Sequence, residues 1–214
     1  MKLFIIITAI LITLIFYLIY LLYYKFTNDT INNISVTETL KEVDKLTSNK
    51  IDDKPNITIS LKHNNSIFNI EVQLFDDDLP ITCKNFRHLA YNGIKNKTYK
   101  NTNFYKIVDD KFIEGGDILN NDGTGVISLY GKYFIDESFE YTHSTPGLLS
   151  MVNDGPNKNN SKFIITTRCC PCLDGKQVVF GRVISGMYHL FNLMKVNTDD
   201  NNEPLNPIEI IDIT

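Results

Sequence analysis

Apolar and polar positions divide the chain into three zones. Residues 3–24 carry no charged side chain. As a helix rising about 1.5 Å per residue, this run reaches about 33 Å, against a hydrocarbon core of roughly 30 Å. Tyr17, Tyr20, Tyr23 and Tyr24 gather in its C-terminal half, where interfacial aromatics sit, and Lys2 and Lys25 flank it. A cleavable signal peptide has a shorter apolar core followed by a small-residue cleavage site. Tyr23-Tyr24-Lys25-Phe26 supplies no such site. Residues 1–25 are therefore expected to be an uncleaved, single-pass anchor whose flanking charges do not choose an orientation. Residues 26–55 read as a polar linker. Within it Ser35-Val36-Thr37-Glu38 has the form of a capping box, and Val36, Leu40, Val43 and Leu46 then share one helical face. A short amphipathic helix is expected there.

From Asn56 the period changes. Phe68, Ile70, Val72 and Leu74 alternate with Asn69, Glu71 and Gln73, the pattern of a half-buried strand. Residues 57–63 are its hairpin partner, joined through Asn64-Asn65-Ser66. Pro80 opens a helix that places Phe86, Leu89 and Ala90 on one side. Strand-like runs follow at 104–108, 111–114, 147–152, 162–166 and 178–184, and again at 208–213. Between the last two, Met187, Leu190, Phe191 and Met194 predict a second helix over 186–196. Two helices among about eight strands in one domain, residues 56–214, predict a closed antiparallel barrel with helices over its ends. The stretch 145–166 reads as strand, long exposed polar loop, strand. Gly and Pro set its turns, and Asn and Asp tolerate left-handed backbone. The segment 153–161 is either an ordinary surface loop or a binding surface.

Composition changes this picture little. The net charge is −4 with no long basic block, which argues against nucleic acid as a partner. Abundant Asn, Ile and Lys reflect a compositional bias, so the six N-x-S/T sequons at Asn28, Asn33, Asn56, Asn64, Asn96 and Asn159 carry weight only if the domain is lumenal.

Several motifs fall into one order. They are Val72-Gln73-Leu74-Phe75 with Leu79-Pro80, Asn85-Phe86-Arg87, Phe104-Tyr105-Lys106, Gly115-Gly116-Asp117 and Asn121-Asp122-Gly123-Thr124-Gly125. Pro146-Gly147-Leu148-Leu149-Ser150-Met151, Gly155-Pro156-Asn157, Ser161-Lys162-Phe163, Leu173-Asp174-Gly175-Lys176 and Val178-Val179-Phe180-Gly181 complete the set. Over about residues 57–214 the chain resembles the cyclophilins, the cyclosporin-binding class of peptidyl-prolyl isomerases. The resemblance implies a mainly β fold, an eight-stranded antiparallel barrel capped by two helices. It also implies rotation about X-Pro bonds of proline-containing polypeptides, with no cofactor. The barrier to that rotation is the double-bond character of C–N, about 18–20 kcal/mol. A catalyst needs an apolar pocket for the ring, polar groups on the flanking backbone, and an oriented donor that favours the twisted amide.

By the same resemblance Lys106 stands where the family has its arginine donor, keeping the charge and losing the fork. Glu114 replaces a glutamine that holds substrate backbone, and is expected to pair with Lys106. Lys111 takes the place of a pocket phenylalanine, Phe112 of a methionine and Ile164 of another phenylalanine. Val152 and Asn153 match the backbone-pairing strand, and Gly123 lies in the matching glycine-rich loop. Lys162 replaces a second glutamine, Gln177 a histidine, and Cys172 the tryptophan important for cyclosporin, while Leu173 is retained. Weak cyclosporin binding is the consequence. Two readings follow, a weak isomerase and a catalytically inactive binding module, each displayed on a membrane.

Cys169-Cys170-Pro171-Cys172 contains a C-x-x-C spacing. A structural zinc site needs four ligands, and Cys83 with the scattered His63, His88, His143 and His189 forms no spaced set. The expectation is a cysteine-rich surface loop beside the groove and no metal.

Overall fold

The computed structural model describes residues 56–108 and 110–214. The anchor and amphipathic helix expected before Asn56 lie outside the described residues. Among the described residues no helix is long and apolar enough to cross a membrane.

β1 (Asn56–His63) and β2 (Ser66–Leu74) form the expected hairpin. Ile57, Ile59 and Leu61 of β1 and Ile70, Val72 and Leu74 of β2 are buried, so the alternation in the sequence is the burial pattern. α1 (Pro80–Tyr91) begins with the expected proline in its first turn and has no side-chain cap of its own. The Glu137 carboxylate, far along the chain, does that work instead. It accepts hydrogen bonds from the Ile81 and Thr82 backbone N–H groups at 2.9 and 2.8 Å and from the Thr82 hydroxyl at 2.7 Å. A carboxylate there satisfies orphan donors and complements the helix dipole.

Next come β3 (Thr102–Asn103), β4 (Lys106–Val108), β5 (Phe112–Gly115), β6 (Leu148–Asn153) and β7 (Asn159–Thr166). A 3-10 turn at Pro171–Leu173, β8 (Val179–Ser185), α2 (Met187–Leu193) and β9 (Ile208–Ile213) complete the chain. All pairings are antiparallel, and the strands lie in the order β3-β9-β1-β2-β8-β6-β7-β5-β4.

The sheet is curled and antiparallel with two helices, and it departs from the expected closed eight-stranded barrel. It has nine strands, because a short strand at Thr102–Asn103 precedes the run expected over 104–108, which is itself strand only over Lys106–Val108. β3 pairs with β9 and β4 with β5. Only Phe104 and Tyr105 separate these two edge strands, and no ladder joins them. Neighbours so close in one extended chain cannot pair with each other.

Several boundaries also moved. β6 spans Leu148–Asn153, one residue later at each end than expected. α2 is shorter than 186–196, yet Met194 and Val196 still pack against the core from the turns that follow it. β7 begins at Asn159, three residues before the expected start at Lys162. The polar segment read as long exposed loop is thus exposed only in part, since Asn159, Asn160 and Ser161 are each 0% exposed. Asn159 Nδ2 donates to the Ile135 carbonyl at 3.0 Å and to Asp136 Oδ1 at 2.8 Å. Asn85 Nδ2 donates to the Asn160 carbonyl, and the Tyr99 hydroxyl to that of Ser161. Hydrogen bonds of this kind make burial of polar groups tolerable.

The core is centred on aromatic rings. Phe86 from α1 lies 5.0 Å from Tyr99, 5.1 Å from Phe163 and 5.3 Å from Phe180, centroid to centroid. The Phe163 contact is edge-to-face, the arrangement that ring quadrupoles favour.

Candidate active site

Strand parity puts four of the expected site residues in one place. Ile107 of β4, Ile113 of β5 and Phe163 and Ile165 of β7 are buried in the core. Their neighbours Lys106, Phe112, Glu114 and Ile164 therefore face outward. In register, Lys106 stands opposite Glu114, Glu114 opposite Ile164, and Ile164 opposite Ser150, a row across β4, β5, β7 and β6. Phe112 lies one step along the same face, opposite Val108 and Thr166. A cation, a carboxylate and two apolar side chains thus share one surface. Ile164 is 1% exposed although it belongs to that outer face, so it forms a floor.

The expected Lys106–Glu114 ion pair does not form among the described residues. The Tyr105 hydroxyl donates to Glu114 Oε1 at 2.9 Å instead. Tyr105 is 8% exposed, and a buried phenol needs an acceptor more than an exposed ammonium does. Burial first, and the adjacent Glu114 charge second, push the Tyr105 phenol well above its ordinary range.

A second correction concerns Lys162 and Gly123. The Lys162 ammonium donates to the Gly123 carbonyl at 2.9 Å and lies 3.6 Å from Asp154 Oδ1, with a side chain only 7% exposed. Both residues are thus engaged within the protein. Lys162 ties the loop after β5 to the β6–β7 turn. Lys111 is exposed in the turn before β5, where its carbonyl accepts the Thr167 N–H, so it is a rim residue and not a pocket wall.

The loop carrying Gly123 is built around a residue to which the sequence analysis assigned no role. Asp117, 0% exposed, accepts from the backbone N–H groups of Leu119 and Asn120 on one oxygen and of Asp122, Gly123 and Gly125 on the other. Burial raises its pKa, but these donors outweigh burial and hold the carboxyl below the ordinary range. Two glycines make the cradle feasible. A Cβ on Gly125 would collide with the Asp117 carboxylate, and Gly123 adopts φ +87° with the Tyr105 ring against it.

The opposite wall is the end of β6 with the loop 169–178. Val152, Asn153, Leu173 and Gln177 are half-buried there. Asn153 Nδ2 donates to the Lys176 carbonyl and ties strand to loop. Gln177 Oε1 is buried and has no hydrogen-bond partner among the described residues. Cys169 and Cys172 are exposed in this loop and Cys170 is buried, all as free thiols. Behind the wall lies a chain of three polar residues that sequence reasoning did not single out. His143 sits with Nδ1 2.9 Å from Asp174 Oδ1 and Nε2 2.9 Å from Ser150 Oγ. The order Ser-His-Asp is that of a hydrolase, but Ser150 and His143 are each 0% exposed, and no substrate carbonyl reaches the hydroxyl.

An outward row of cation, carboxylate and apolar floor on a curled antiparallel sheet with two helices defines the class of this protein. The model of the family described as cyclophilin type peptidyl-prolyl cis-trans isomerase/CLD matches residues 57–214, and the chain belongs to that family. It is 42% identical over 138 residues to the rhodopsin-specific isozyme of peptidyl-prolyl cis-trans isomerase from Calliphora vicina, covering 64% of this chain and 59% of that one. It is 45% identical over 148 residues to peptidyl-prolyl cis-trans isomerase 9 of Caenorhabditis elegans, covering 66% and 48%. Against peptidyl-prolyl cis-trans isomerase H of Mycosarcoma maydis it is 43% identical over 145 residues, covering 66% and 93%. The chain thus spans 59% and 48% of the first two relatives and nearly all of the third.

Proposed function

We propose that the chain is a peptidyl-prolyl cis-trans isomerase acting on X-Pro bonds of polypeptides, with Lys106 as the donor. The observation that carries this reading is the register row of Lys106, Glu114 and Ile164 with Phe112 beside it. Phe112 and Ile164 offer an apolar seat for the pyrrolidine ring. Val152 and Asn153 end β6 half-buried beside the loop that carries Leu173 and Gln177, where an extended peptide would lie. No bond breaks and no proton moves. The Lys106 ammonium favours the twisted amide by electrostatics as resonance is lost. Without a planar fork the ammonium is a less directed donor, and a rate reduced by about 10²–10³ relative to an arginine is expected by analogy with loss of one oxyanion donor.

The test is exchange NMR on a proline peptide with the full chain in mild detergent. Acceleration of cis-trans exchange, lost in Lys106→Ala, is the expected result. No acceleration at high protein concentration sinks the reading. A second reading, a binding module without catalysis, is favoured by the internal use of Lys162 and Gly123. It predicts peptide binding without rate enhancement, in the same titration.

The charge-free run 3–24 supports a further proposal, that this domain is displayed on a membrane by an N-terminal anchor with 26–55 as linker. Flotation with vesicles, lost on deletion of 1–25, is the expected behaviour. A full chain that stays with the aqueous fraction removes the anchor.

A further inference from the structure

We infer that His143 is a positioning residue. It straps the loop that carries Leu173 and Gln177 to β6, and so sets the shape of that wall of the groove. The inference rests on the isomerase reading of the same groove.

The strap uses four groups of one residue. The His143 backbone N–H donates to Asp174 Oδ1 at 2.7 Å, and Nδ1 donates to the same oxygen at 2.9 Å. The His143 carbonyl accepts the Cys170 N–H at 2.8 Å. His143 therefore holds the loop at both ends of the 3-10 turn Pro171–Leu173. The fourth group, Nε2, sits 2.9 Å from Ser150 Oγ in the middle of β6. With Nδ1 donating to Asp174, neutral Nε2 is an acceptor, and the Ser150 hydroxyl donates to it in preference to the Val178 carbonyl 3.2 Å away.

The loop has little else to hold it. No residue of the 3-10 turn is buried and its own bonds are local; the loop's other ties to β6 lie at its far end, Asn153 to the Lys176 carbonyl and the Met151 N–H to the Val178 carbonyl. Leu173 and Gln177 are coupled by the bond from the Gln177 N–H to the Leu173 carbonyl at 3.1 Å. Whatever fixes Asp174 thus fixes both groove residues. Ser150, in turn, is the register partner of Ile164, the floor of the groove. The strap links floor to wall through a side chain that touches no substrate.

Two substitutions separate positioning from mere packing. In His143→Asn the amide nitrogen lies near the place of imidazole Nδ1, so the bond to Asp174 survives and that to Ser150 is lost. In His143→Gln the amide reaches toward Ser150, and the Asp174 donor is lost. The full chain is used, with amide hydrogen exchange of residues 170–177 and proline-peptide affinity by NMR titration. Each variant cuts the strap at one end, so both are expected to raise loop exchange and weaken peptide binding, about tenfold, with exchange in β1 and β2 unchanged. Loop exchange unchanged in either variant, or raised equally in β1 and β2, overturns the inference, as does lost protection with unchanged affinity. Asp174→Ala removes both Asp174 bonds from the partly exposed side and must raise loop exchange at least as much as His143→Gln, which keeps the test valid if a core variant fails to fold. Peptide bound without rate enhancement removes catalysis while the strap is read by affinity alone. A wild-type chain that binds no proline peptide overturns the groove reading and the strap's role in it.

Discussion

Lys106 keeps a positive charge and gives up a geometry. An ammonium is a compact, strongly hydrated point charge, whereas a guanidinium presents a planar fork. Lys106→Arg is therefore expected to raise the isomerisation rate, by about tenfold or more, as the oriented donor returns. Adding Glu114→Gln should matter less, because the Glu114 carboxylate is engaged by Tyr105 and not by Lys106. Exchange NMR on the single and double variants decides it. A gain that appears only in the double variant shows that the two charges are coupled after all. Cyclosporin supplies a second residue-scale prediction. Cys172 stands where the family resemblance places an indole donor, and its thiol is a small, weak one. With Glu114 also charged in the groove, binding is expected about 100-fold or more below the family norm, or about 2.7 kcal/mol. Titration calorimetry returning nanomolar affinity shows the groove assignment to be wrong.

At the scale of elements, loops here are held by buried acceptors rather than by packing. Asp117→Ala strips five backbone N–H groups of their acceptor. A loss of about 2–4 kcal/mol in urea unfolding is expected, since several donors are left unmatched in a buried place. The loop behind β6 responds to acid. Burial first lowers the His143 pKa below 6.5, with Asp174 opposing that shift. The folded state therefore binds this proton less readily than the unfolded chain. The stability it contributes is complete above pH 6.5 and declines as pH falls below that value toward the lowered folded pKa. The Asp117 pKa lies below 3.8, so its contribution holds above 3.8 and is lost as pH falls through the lowered value. Unfolding titrations should show a first decline starting near pH 6.5 that is smaller in His143→Asn, the remainder coming from His88, whose pKa burial also lowers. An identical decline in that variant places its origin elsewhere.

For the whole molecule, the centre of gravity is the ring cluster of Phe86, Tyr99, Phe163 and Phe180. Phe163 contacts Phe86, Tyr99 and Phe104 edge-to-face, and Ser161 and Lys162 before it serve the loops. Phe163→Ala should cost about 3–5 kcal/mol by thermal or chemical unfolding. A cost under about 1 kcal/mol means that the core closes around the void. The strand order pairs β1 with β9 and β2 with β8, so the sheet cannot form until distant segments meet. Folding in milliseconds to seconds is the kinetic expectation for such a topology.

Much of the fold is legible in local patterns. Alternation in β1 and β2, the proline at the start of α1 and the turn residues between strands are nearest-neighbour signals, and each marks a real element. The ordered motifs were enough for the family, and the resemblance named Lys106, Phe112, Glu114 and Ile164, whose common face rests on the strand register. What the linear chain could not settle is which polar groups find each other. The Lys162 ammonium meets a carbonyl 39 residues away, and His143 meets a carboxylate 31 residues away. Asn159, Asn160 and Ser161 read as loop because polar residues are usually wet, and only their distant partners make burial tolerable. The same holds for Phe104 and Tyr105, read as strand, which link β3 to β4 at opposite ends of the strand order. Period and turn chemistry are properties of adjacent residues, whereas hydrogen-bond partners and edge pairing depend on segments that only the folded chain brings into contact.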